Sequence, residues 1–205
     1  MLRAQKNRFG PTGEVAIYQM RDTGLVPVAD PSRVLLEQRT RHRPGSAVLA
    51  SLHGTRPLLV EVQALTHPSP LPTPRRMTVG LDSTRATLLT AVLERFAGLS
   101  LAGMDLFLNV VGGLAVREPA ADLAVAAALL SAFRDRPLPP GTAFFGEVGL
   151  LGEVRPVSHA GARLREIRHL GFERVICSPI DAADRPKHLE MLEIDDIEAL
   201  GEACF

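Results

Sequence analysis

Hydrophobic positions are densest where the chain reads as strand. Ser46–His53 and Arg56–Thr66 are two runs rich in leucine and β-branched residues, joined by Gly54-Thr55. That junction predicts a hairpin, and the nearly continuous apolar side chains predict strands covered in part on both faces. Upstream, Glu14–Met20 alternates as a strand does. Gly24 marks a turn, Leu25–Val28 continues as a short edge strand where proline is tolerated, and Pro31–Gln38 reads as a short helix. Residues 39–45 form a charged loop. His67–Pro74 carries four prolines, which exclude helix and inner strand. This loop delivers Arg75-Arg76 onto a strand at Met77–Val79.

The second half alternates strands with helices. Thr84–Phe96 places Leu88, Leu89, Val92, Leu93 and Phe96 at helical spacing, with Asp82 or Ser83 as N-cap. Met104–Val111 is an apolar inner strand, closed by Gly112-Gly113. Pro119 then stands where a first helical residue belongs, since its missing N–H costs nothing there. Ala120–Phe133 follows as a helix of small residues able to lie close to a sheet. Pro137–Gly141 is a rigid turn, Thr142–Phe145 a short buried strand, and 146–154 a tight hairpin. Ala160–Leu170 is a helix with Gly171 at its end, Arg174–Pro179 a strand, and Asp195–Ala203 a closing helix. No internal repeat occurs. The succession predicts an α/β domain with a mixed sheet packed by helices.

Composition narrows this little. At 205 residues with 46% hydrophobic content, the chain is long enough for one sizeable core, here residues 14–205, preceded by a basic arm, 1–13. No apolar run approaches the roughly 18–20 residues of a membrane span, and the N-terminus has no apolar secretory core. Cys177 and Cys204 have no metal-ligand spacing and read as structural thiols of a reducing compartment. Net charge is zero, but residues 1–95 carry +6 and 96–205 carry −6, which permits a basic face on a neutral protein.

Enzyme chemistry finds few candidates. The six histidines show no spacing that gathers a metal, and there is no phosphate-binding or dinucleotide fingerprint. Ser131 belongs to a helix surface or its packing. Ser158 and His159 are adjacent, a placement that seldom lets two side chains face each other. Glu118 and Asp122 read as charges favoured by a helix start. Paired arginines without a neighbouring acid suit phosphate binding, which singles out Arg75 and Arg76, followed by Arg134 and Arg174. With one tyrosine and no tryptophan, contact with a nucleic acid would run along its backbone without sequence preference.

The stretch from Gly112 to Ala126 resembles the Lon protease fold, in which a serine nucleophile opens the corresponding helix. Its position is Ala120 here, and that of the Lon lysine is Gly161, so both halves of the dyad are missing. Further words are more specific: Lys6-Asn7-Arg8-Phe9-Gly10, Gly54–Leu65, Thr73-Pro74-Arg75-Arg76, Glu118-Pro119-Ala120-Ala121-Asp122 and Phe145–Leu150. In this order, and over the chain from Lys6 onward, they resemble the C-terminal region of the bacterial RadA/Sms DNA-repair family. The resemblance implies a degenerate Lon-like domain, a pseudo-protease with no cofactor of its own. Its expected partners are single-stranded and branched DNA, five further copies in a hexamer and a RecA-type recombinase, in the cytoplasm and not at a membrane. Lys6, Asn7 and Arg8 would contact DNA. ATP, magnesium and zinc would belong to upstream domains, whose motor drives branch migration. The alternatives are a ring scaffold that touches no DNA and an active Lon-type peptidase.

Overall fold

The computed structural model describes residues 2–3, 15–37, 39 and 42–205. Two small antiparallel pairs come first: β1 (Leu2–Arg3) with β2 (Val15–Ala16), and β3 (Tyr18–Arg21) with β4 (Gly24–Pro27). The helix α1 (Pro31–Leu36) follows, its first turn capped by Asp30, whose carboxylate accepts from the Arg33 N–H at 3.0 Å. The predicted hairpin is β5 (Ser46–His53) and β6 (Arg56–Pro68), pairing Ser46 with Gln63 and His53 with Arg56.

The remaining elements in order are β7 (Arg76–Val79), α2 (Ser83–Phe96), β8 (Met104–Val110), α3 (Asp122–Arg134), β9 (Thr142–Phe145), β10 (Glu147–Val148), β11 (Val154–Arg155), α4 (Ala160–His169), β12 (Arg174–Cys177), β13 (Glu190–Glu193) and α5 (Leu200–Cys204). Seven of the strands make one sheet in the order β13-β12-β9-β5-β6-β8-β7. Within it β6 runs antiparallel to both neighbours and every other pair is parallel. The sheet is mixed, as the alternation of elements predicts.

Alternating side chains send two cores to opposite faces. Ala47, Leu49, Leu58, Val60, Val62, Leu108, Phe144 and Ile176 meet α2, α3 and α5 on one face. Val48, Ala50, Leu59, Phe145 and Val175 meet Leu164 and Ile167 of α4 on the other. The alanines of α3 let it sit against the sheet, and every residue from Asp122 to Ser131 is buried. Ser131 is a tie rather than surface: its hydroxyl donates to the Arg136 carbonyl at 2.5 Å and accepts from the Gly45 N–H at 2.9 Å. Both thiols are buried, and burial pushes each up to about 12, leaving them protonated and inert at neutral pH.

Three segments differ from expectation. The inner strand β6 runs on through His67 and Pro68, paired with Asp105 and Met104, so the proline-rich loop starts only after Pro68. Glu190–Glu193 is a strand, parallel to β12 with Arg174 opposite Glu190. The closing helix starts later than Asp195, because the Asp195 carbonyl is taken by the Val154 N–H at 2.7 Å and holds the chain extended. Asp196 then caps a 3₁₀ turn, Ile197–Ala199, accepting from the Glu198 N–H at 2.8 Å before α5 begins.

Candidate functional site

Ala120 lies in a 3₁₀ turn, Pro119–Ala121, that leads directly into α3. Its carbonyl accepts from the Gly146 N–H at 3.0 Å, and the Gly146 carbonyl accepts from the Leu123 N–H at 3.1 Å. The strand end is thereby strapped to the helix start. A Cβ at Gly146 would meet the Ser178 nitrogen at 3.2 Å and Leu123 at 3.3 Å, closer than an ordinary contact, so the approach is tight. Gly161 sits in the first turn of α4, and a side chain there would run into the Asp184 carboxylate. Ala120 is 2% exposed. Neither side chain supplies a hydroxyl or an amine.

What the corner does contain is a buried ion pair. The Arg163 side chain, on α4, is wholly buried. It donates to Glu118 Oε2 at 2.6 Å and Oε1 at 3.2 Å, to the Ala50 carbonyl at 2.5 Å and to the Ser158 carbonyl at 3.2 Å. Glu118 also accepts from the Leu52 N–H at 2.6 Å. Burial pushes the Glu118 carboxyl up, but the Arg163 hydrogen bonds and charge, with the Leu52 N–H, pull harder and hold it below the usual carboxylate range. Glu118 therefore ties the end of β5 and the start of α4 to the turn before α3. Beside it, burial depresses the His53 imidazole against the pull of Glu118, so it is neutral at physiological pH. Ser158 and His159 are both exposed, and no hydrogen bond joins their side chains among the described residues.

A second pair stands one turn along. Arg85 Nε donates to Asp122 Oδ1 at 2.9 Å, and Nη2 donates to Asp122 Oδ2 and to the Val148 carbonyl, the latter at 2.9 Å. The Val148 N–H donates to Asp122 Oδ2 at 3.0 Å. Burial raises the Asp122 carboxyl despite the opposing pull of Arg85. The pair borders a cavity of about 250 Å³ whose apolar lining includes Leu81, Leu89, Val116 and Val125. Glu118 and Asp122 are thus ion-pair partners, where the sequence suggests only a favourable helix start. Nothing local announces either pair, since the partners stand 45 and 37 residues apart.

The arginines singled out for phosphate contact do not form one patch. Arg76 opens β7 and Arg75 precedes it, both exposed, and neither makes an ion pair among the described residues; the Arg75 N–H is held by Asp105 Oδ1 at 2.7 Å. Arg174 is committed to Glu190 at 2.6 Å. It lies five strand spacings from β7, about 24 Å at the usual spacing. Arg134 stands over the Phe205 ring at 5.6 Å, with Arg136 at 4.5 Å. Lys6, Asn7 and Arg8 lie outside the described residues. Among the described residues no three His, Cys, Asp or Glu side chains gather as a metal site, and no helix is long and apolar enough to cross a membrane.

No protein-family model matches the chain. Curated relatives do. It is 47% identical over 203 residues to the DNA repair protein RadA of Bacillus subtilis (strain 168), covering 98% of this chain and 44% of that protein. It is 51% identical over 174 residues to DNA repair protein RadA of Brucella abortus (strain 2308), covering 85% of this chain and 37% of the relative. The chain belongs to the RadA family of DNA repair proteins. RadA of Pseudomonas aeruginosa is 46% identical over 207 residues, covering all of this chain and 46% of its own length. The chain spans less than half the length of these RadA proteins.

Proposed function

We infer that this chain is the non-catalytic, ring-forming and DNA-gripping part of a RadA-type repair protein, with a degenerate Lon-like fold. The observation that carries the reading is the chemistry of the corner at Ala120 and Gly161. An alanine and a glycine stand where the resemblance puts nucleophile and base, and the ion pair beside them ends in a guanidinium, which stays charged and cannot act as a base. A fold without its reagents is left with binding. In the longer protein, an ATP-driven motor in other domains would move branched DNA in cooperation with a RecA-type recombinase in the cytoplasm, while this part supplies hexamer contacts and grip.

For the grip, Arg75 and Arg76 are the strongest candidates, being exposed and free of ion pairs among the described residues. Arg174 and Arg134, engaged with Glu190 and Phe205, rank below them. Fluorescence anisotropy with a labelled single strand at several salt concentrations tests the reading. Binding should weaken steeply with salt, and Arg75→Ala with Arg76→Ala should weaken it further and reduce the logarithmic salt slope by up to about 1.4, at about 0.7 per phosphate contact on a single strand. Unchanged affinity in the double variant removes both residues from the interface. Casein hydrolysis by the wild-type protein would overturn the non-catalytic assignment.

A further inference from the structure

The helical layer that contains α4 stops short of β7, and the strip it leaves bare is apolar. By register Leu65, Phe107 and Met77 form one row across β6, β8 and β7. The row faces away from α2 and α3, because the alternate residues Ala64, Leu106 and Leu108 belong to the core on that side. Leu65 is 61% and Met77 57% exposed, in a groove of about 370 Å³ that Arg43 also lines. Parallel strands such as β7 and β8 are normally covered on both faces, and a contiguous bare apolar strip marks an interaction surface.

A convex counterpart projects from the opposite face. The turn between β10 and β11 presents Leu150 at 62% and Leu151 at 77% exposure. Its flanking Val148 and Val154 are buried in the core shared with α2 and α3. The Gly152 carbonyl accepts from the Ile197 N–H at 2.8 Å, and the Asp195 carbonyl from the Val154 N–H at 2.7 Å. These bonds bring Asp195 and Glu198, both exposed, beside the two leucines. Neither acid has an ion pair among the described residues, and neither does Arg43.

We propose that the two surfaces bind each other between copies of this chain. Leu150-Leu151 of one copy seats in the groove of Leu65, Phe107 and Met77 on the next, with Asp195 and Glu198 facing Arg43. The proposal rests on the ring reading above and names its contact. The patches are unlike and lie on opposite faces, so each copy uses both once and the association runs head to tail, which forms a ring where the rotation between copies closes. The charged rim sets register and rejects the reversed pairing.

Light scattering on the wild-type chain and two surface variants tests it. Leu150→Asp with Leu151→Asp removes the tip, and Leu65→Asp with Met77→Asp removes the groove. Wild type should assemble, each variant should be monomeric with an unchanged circular dichroism spectrum, and an equimolar mixture should give a one-to-one dimer and nothing larger. As a milder probe, Arg43→Glu should raise the dissociation constant at least tenfold, with recovery when Asp195→Arg and Glu198→Arg are added. If wild type assembles and both variants assemble equally well, the contact lies elsewhere and the ring reading stands. A mixture of monomeric variants that stays monomeric overturns the head-to-tail contact. A wild type that is monomeric at every concentration overturns the contact and the ring together.

Discussion

The two ion pairs flanking the start of α3 are built the opposite way round. In one the arginine side chain, Arg163, is 0% exposed and its acid, Glu118, 20%. In the other the acid, Asp122, is 3% exposed and its arginine, Arg85, 34%. A guanidinium cannot shed its charge in a protein, so burying it obliges the partner to remain ionised. A carboxylate can take up a proton, so burying it leaves an escape. The opposite directions of the two carboxyl groups follow: Glu118 is held below its ordinary range and Asp122 above it. The first pair behaves as a fixed clamp between three segments, and the second as a conditional one.

The sharpest break of that contrast is to remove each arginine in turn. Arg163→Ala strands an ionised Glu118 and leaves the Ala50 and Ser158 carbonyls without their donor, so it should cost about 3–5 kcal/mol in urea unfolding at pH 7. Arg85→Ala should cost less, about 1–3 kcal/mol, because Asp122 keeps the Val148 N–H, can protonate, and loses a partner that water already reaches. Equal losses would show that the burial asymmetry has no energetic consequence.

That contrast was not legible from the sequence, whereas the frame that holds it was. The hairpin of β5 and β6 and the alanine-rich α3 are read from local periodicity, whereas the loop read from its four prolines starts later, because Pro68 still pairs in β6. The corner needs Glu118 and Arg163, 45 residues apart, brought together by sheet order, and no spacing rule encodes that. For the same reason β13 is invisible locally: Glu-Met-Leu-Glu becomes a strand because β12 offers it a parallel edge. Ala120 and Gly161 are a different case, since an alanine and a glycine show by their own chemistry what they cannot do.

Acid should separate the two carboxyls. A depressed carboxyl contributes stability that is present above its unfolded value of about 4.3 and lost as pH falls through the folded value. Glu118→Gln should therefore be less stable than wild type at pH 7, with the gap closing as pH drops below about 4. Asp122 has the reverse sign: its contribution is fully present below the unfolded value of about 3.9 and is lost as pH rises through its raised folded value. Asp122→Asn should accordingly lack the fall in stability that wild type shows as pH rises from that unfolded value to the raised folded one. Chemical unfolding from pH 3 to pH 8 reads both. Parallel curves for the two variants would erase the distinction between clamp and conditional clamp.

The smallest effect tests why Asp122 is high. Two influences push it upward, burial first and the nearby Glu147 charge last, while Arg85 and the Val148 N–H oppose them. Glu147 Oε1 lies 3.9 Å from Arg85 Nη2 and is itself a third exposed, so Glu147→Gln should change stability by no more than about 0.5 kcal/mol. In a carboxyl carbon NMR titration the Asp122 value should move downward yet stay above the ordinary aspartate value of about 3.9. A fall below it would assign the upward shift to the neighbouring charge, and the buried acid would then be as firmly ionised as Glu118. An unmoved value would leave burial alone responsible, with the difference between the two pairs resting only on which partner the fold chose to cover.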